Sequence, residues 1–174
     1  GINDLSDPLS GDLELFLYRY DGEIVQHEVM PAVMAPESAS LLKTISFPDD
    51  EVFRCTHFYF ARLNPSGLCE DTDTAPLENE LLLLRPKRCD IKTAHIAYEL
   101  KVYKGSIEVE LSSDVPAFHV VLECENTSLR FSDNDFTLLP GIPKHILIDT
   151  EESTEALDVV MIEKNLKIHS LRNF

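Results

Sequence analysis

The chain has 174 residues, 44% hydrophobic and 26% charged, so it can bury a core and falls outside the disordered class. Lys and Arg number 15 against 31 Asp and Glu, a net charge of −16, which repels a phosphate backbone and argues against nucleic acid and anionic membrane as partners. No apolar run approaches the roughly eighteen residues that a membrane helix needs.

Elements are read in chain order from the period-two pattern. Leu13 to Tyr20 is a strand, with Leu13, Leu15 and Leu17 on one face and Phe16 and Tyr18 on the other. Asp21-Gly22 is a favoured two-residue hairpin turn, and Glu23 to Met30 returns as the partner strand. Pro31 and Pro36 break the pattern and suit an edge or a loop. Leu41 to Phe47 and Val52 to Leu63 are the third and fourth strands, and Pro65-Ser66-Gly67 is a turn. Glu70 to Pro76 is an acidic surface loop, and the Leu-rich Glu78 to Arg85 is a strand buried on both sides.

At Pro86-Lys87-Arg88 the composition shifts. Residues 1–86 carry 5 basic and 16 acidic side chains, and residues 87–174 carry 10 and 15. The domain boundary is placed there. In the second half, Ile96 to Val102 is a strand and Lys104-Gly105 a turn. Ser106 to Leu111 alternates, with Ile107, Val109 and Leu111 inward and Glu108 and Glu110 on the wet face. Phe118 to Cys124 is a central strand, Phe131 to Gly141 a compact strand-turn-strand run, and Lys144 to Asp149 another strand. After an acidic loop at 149–154, strands at Leu157 to Ile162 and Leu166 to Leu171 close the domain. Strands recurring roughly every eight to twelve residues indicate β-sandwiches. The predicted fold is all-β: two tandem immunoglobulin-like β-sandwich domains, residues 1–86 and 87–174.

Four cysteines, Cys55, Cys69, Cys89 and Cys124, form no C-x-x-C pair. A chain this long and apolar does not need disulfides, so free thiols are favoured, which leans toward a reducing, cytoplasmic compartment. Cys55 and Cys124 read as small core residues. Asn126-Thr127-Ser128 is a formal glycosylation sequon. The chain starts with Gly1 rather than Met, without a cationic apolar leader. That suits a processed or excised segment and says little about where a parent protein goes.

The six histidines, at 27, 57, 95, 119, 145 and 169, have no metal-ligand pairing, and His57 and His119 read as satisfied structural residues within apolar strands. No catalytic, cofactor-binding or metal-binding residue is assigned, and no cofactor. Asp133 and Asp135 flank Asn134 in a turn, where such side chains bond local backbone; a calcium site there lacks the spacing of a recognised loop. There is no Trp to serve as a sugar platform. Tyr18, Tyr20 and Tyr59 are the candidates for contact with carbohydrate or with another domain.

Three runs resemble a known family. Asn3-Asp4 through Leu9-Ser10-Gly11-Asp12-Leu13, followed by Asp21-Gly22, resembles the opening of the immunoglobulin-like domain that follows the catalytic barrel in β-mannosidases of glycoside hydrolase family two. Glu78-Asn79, an apolar strand and Pro86-Lys87 are similar to the exit into the last domain of that family. Phe131, Ser132, Asp133, Asn134, Phe136, Leu138, Leu139, Pro140 and Gly141 fit its signature near the C-terminus, with Asp135 where an aromatic is frequent. The closing Leu166 to Leu171 strand also fits.

The resemblance implies a non-catalytic C-terminal accessory region that braces the barrel of a retaining glycosidase acting on terminal β-mannosidic bonds. The acid/base and nucleophile glutamates would lie in that barrel, and no position here matches them. The implied partner is the barrel of the parent chain, with mannose-containing glycans second. The alternatives are a carbohydrate-binding module for mannan or N-glycan chains and a tandem-sandwich adhesion module.

Overall fold

The computed structural model describes residues 1–66, 76–103, 106–125, 129–150 and 159–173. Cys69, the Lys104-Gly105 turn, the sequon, Leu157 and most of both acidic loops lie outside the described residues. The described chain forms antiparallel sheets in two compact units, Gly1–Asp90 and Ile91–Phe174.

Unit 1 comprises β1 (Ile2–Asn3), β2 (Leu9–Arg19), β3 (Ile24–Met34), β4 (Ser38–Ala39), α1 (Glu51–Thr56), β5 (His57–Ser66) and β6 (Leu77–Leu82). Its main sheet has the order β3-β2-β5-β6, and β1 pairs with β4. The β2–β3 hairpin closes at Asp21-Gly22, with Gly22 at φ 94° and the Arg19 amide donating to the Glu23 carbonyl at 2.9 Å. Only glycine takes that φ without strain. β3 runs through Pro31 instead of stopping there. It is an edge strand, where alternate N–H groups face away from the sheet and a missing donor is tolerated.

Three expectations for this unit are corrected. Residues 41–47 pair with no strand. Leu42 packs against the cluster of Leu9, Leu13, Ala32, Met34 and Leu63, and Lys43 bonds Glu28 at 2.6 Å. The segment therefore crosses the sheet face rather than adding to an edge. Residues 51–56 form a helix, because Asp50 caps it by accepting from the Phe53 amide at 2.9 Å, with Glu51 in the first turn and Arg54 in the last. β6 is an edge strand with one exposed face, and Leu81 is 56% exposed. Of its side chains, Glu78 is the one held by a forked pair, from Arg62 Nε and Nη2 at 2.9 and 2.7 Å.

Unit 2 comprises β7 (Ile96–Tyr103), β8 (Ser106–Ser113), β9 (Ala117–Cys124), β10 (Leu129–Phe131), β11 (Phe136–Leu138), β12 (Lys144–Thr150), α2 (Val159–Asn165) and β13 (Leu166–His169). One sheet is ordered β10-β12-β8-β7 and the other β11-β9-β13. Ile107, Val109 and Leu111 of β8 and Ile146 and Ile148 of β12 enter one core with Val120 and Leu122 of β9 and Leu138 of β11. This is a sandwich built on period-two faces.

Residues 159–165 are helical where a strand was expected. A short apolar run does not distinguish the two, and the docking of Ile162, at 0% exposure, into the core decides it. Asn165 Nδ2 donates to the Met161 carbonyl at 2.7 Å at the helix end, and the chain then enters β13, which pairs with β9.

Among the described residues Cys55, Cys89 and Cys124 are free thiols. The core assignment shifts: Cys55 lies in α1 and Cys124 ends β9, both half-buried, and Cys89 is the buried thiol.

Candidate functional site

Two places collect the residues that the sequence singles out. The first is the turn from Phe131 to Gly141, which carries the chain from β10 in one sheet of unit 2 to β11 in the other. Ser132 exchanges two bonds with Leu147: its amide donates to the Leu147 carbonyl at 2.9 Å, and its Oγ accepts from the Leu147 amide at 3.0 Å. Asn134 copies a strand, accepting from the Leu122 amide at 2.8 Å and donating to the Leu122 carbonyl at 3.0 Å. Asp133 pairs with Lys144 at 2.9 Å and Asp135 with His119 Nδ1 at 2.8 Å.

Both His119 and Asp135 sit at positive φ, 50° and 67°. Their side-chain contact joins two residues that each bear backbone strain. His119 lies within β9 and is satisfied by Asp135, as expected, with its ring half-exposed. Past the turn, Phe136, Leu138 and Leu139 are buried, and Gly141 at φ 76° completes the Pro-Gly reversal. Each polar side chain of the Asp-Asn-Asp triplet is engaged by protein, which makes this a structural strap.

The second place is a groove on unit 1. Tyr59 lies on β5 between Leu17 of β2 and Leu81 of β6 in register. Residues 43–47 pass over this face and leave an open groove of about 420 Å³ bordered by Leu15, Ile45, Phe47, Tyr59 and Leu81. The Phe47 and Tyr59 rings are 6.3 Å apart, and the Arg54 guanidinium is 5.7 Å from the Phe47 ring centre. Partial burial pushes the pKa of the Tyr59 hydroxyl up. Polar atoms come from Asn79, Glu80 and Lys43. The groove combines apolar surface with a few polar fixtures.

Tyr18 and Tyr20 do not join it. They are 1% and 2% exposed and stack on Phe58 at 5.5 and 5.2 Å. Burial pushes both phenols up, and a bond to Cys89 adds to the effect at Tyr20. They have no open face for a sugar or another domain. Sequence reading missed Ile45, Phe47 and Leu81, whose exposure follows from the crossing segment and the edge position of β6.

Residues 91–174, the whole of unit 2, match the family model Ig_mannosidase, an Ig-fold domain. No curated protein gives a significant match. Among solved structures, 98% of this chain is similar to 20% of the β-D-mannosidase of Dictyoglomus thermophilum, at TM-score 0.75 and 18% identity. Likewise 99% of it is similar to 24% of the exo-chitosanase CsxA of Amycolatopsis orientalis, at TM-score 0.57 and 12% identity. At those identities the likeness is one of fold. The chain spans 20% to 24% of the length of these neighbours. The resemblance carried by the three sequence runs is met by the family match over unit 2 and by the fold over nearly the whole chain.

Proposed function

We propose that the chain is the non-catalytic C-terminal accessory region of a larger β-mannosidase-like glycosidase of glycoside hydrolase family two, whose barrel hydrolyses terminal β-mannosidic bonds. In this reading it braces the barrel, and the groove around Tyr59 is a contact face for it. The observation that carries the proposal is the Ig_mannosidase match over residues 91–174. Two supports stand beside it. The neighbours of like fold are glycoside hydrolases four to five times longer, so a catalytic region elsewhere in the parent is the natural partner. The apolar exposure of Leu81, at 56%, suits burial against protein.

A sugar-platform reading is weaker, since two of its three candidate rings are buried. Glu108 and Glu110 share an open strand face, where Lys101 contacts Glu110 and His145 contacts Glu108.

The pure 174-residue chain is expected to fold and to leave an aryl β-mannoside and an aryl β-glucosaminide unhydrolysed at the blank rate. Turnover that scales with protein concentration and persists through a second purification would overturn the non-catalytic assignment. Manno-oligosaccharides titrated into the isotopically labelled chain are expected to leave Tyr59 and its neighbours unshifted. Saturable shifts there would make the groove a glycan site instead.

A further inference from the structure

We propose that Glu108, Glu110 and His145 form a surface site for a divalent transition-metal ion of the zinc type. The three come from two neighbouring strands in the middle of the β10-β12-β8-β7 sheet of unit 2. Glu108 and Glu110 are two apart on β8 and share a face, and His145 on β12 is the register partner of Glu110. One ligand atom from each lies within 4.8 Å of the other two, and His145 Nδ1 is 2.8 Å from Glu108 Oε1.

Metal–nitrogen and metal–oxygen bonds of about 2.0–2.2 Å in a tetrahedral site put ligand atoms about 3.3 Å apart. β8 is paired on both sides at Glu108 and Glu110, with β12 and with β7, and β12 is paired with β8 at His145, so the ligands stand on laddered backbone. The ligand set matches the ion: an imidazole and two carboxylates suit zinc, and three protein ligands leave a position for water.

The field at this point already favours a cation. The Lys101 ammonium reaches in from β7, contacting Glu110 and lying 3.5 Å from Glu99. Lys101 is therefore the competitor a metal ion must displace, and the two carboxylates are only 25% and 30% exposed on their side chains. A half-buried anionic pair neutralised by one flexible lysine is a place where a compact dication gains by exchange.

The test is a zinc titration of the whole 174-residue chain, read by calorimetry and by the side-chain NMR signals of its six histidines. The expected result is saturable binding that shifts the His145 ring. His145→Ala should weaken that event about tenfold or more, and Lys101→Met should tighten it several-fold. The lysine variant adds no ligand, so tightening cannot come from binding at the free cysteines. The proposal is overturned if zinc up to about 1 mM leaves the His145 ring unshifted. It is equally overturned if His145→Ala and Lys101→Met bind as the parent chain does.

Discussion

Gly11→Ala is expected to lower the stability of unit 1 by about 3 kcal/mol or more, the upper end for forcing a methyl into a packed site. Gly11 lies in the middle of the main sheet, in register with Pro65 of β5 and Ala32 of β3. A Cβ there would stand 2.2 Å from the Asn64 carbonyl oxygen, 2.9 Å from its carbon and 3.0 Å from the Pro65 Cα. All three are backbone atoms of the neighbouring central strand, so no side chain can swing aside. β2 and β5 would have to part along their ladder. For a unit of this size, about 3 kcal/mol corresponds to a fall in melting temperature of roughly 12–24 °C. Ser10→Ala, one residue away, removes an exposed hydroxyl that donates to the Ser66 carbonyl at 3.2 Å and should cost under about 1 kcal/mol. The pair of variants is compared by thermal denaturation. A Gly11→Ala chain melting within a few degrees of the parent would mean that the two strands do not approach as described. The Gly of the L-x-G-x-L run thus has a physical reason, close backbone approach.

Ile162→Ala is expected to cost unit 2 about 2–5 kcal/mol, through lost burial and the cavity left behind. Ile162 is the one residue of α2 that is fully buried, and it joins the core formed by both sheets. Val160→Ala, on the same helix at 71% exposure, should change stability by no more than about 0.5 kcal/mol. Urea denaturation of the two variants separates the readings. If 159–165 were a strand, Val160 and Ile162 would share a face and the two truncations would cost alike. A large gap between them is the signature of the helix.

Much of the fold was legible because period-two alternation and turn chemistry are local. Ile107, Val109 and Leu111 could be assigned inward, and Asp21-Gly22 to a hairpin, without any knowledge of neighbours. What misled was non-local. Leu41 to Phe47 has strand composition, and only its contacts with the face of the sheet keep it out of the ladder. Val52 to Thr56 reads in sequence as the start of the following strand, because the single cap at Asp50 is a weak signal. Leu157 to Ile162 is too short for its period to decide between strand and helix.

The groove around Tyr59 was legible in part. Alternation put Tyr59 on a face of its strand but did not say which face is covered, so Tyr18 and Tyr20, both buried, looked equally available. The Glu108–Glu110–His145 cluster left no linear trace, because its residues meet only through the pairing of β8 with β12, 35 residues apart between Glu110 and His145. The Phe131 to Gly141 run is contiguous in sequence, but its polar side chains do not bond their own backbone as expected: Asn134 bonds Leu122 of β9 and Ser132 bonds Leu147 of β12.

Amide hydrogen exchange bears most directly on the bracing role, with the isolated chain compared to the longer parent polypeptide. In the parent, residues 43–47 and 77–82, which border the groove around Tyr59, are expected to exchange about tenfold or more slowly than in the isolated chain, as apolar surface is covered. Identical exchange in both contexts would contradict the claim that this face rests against the catalytic region.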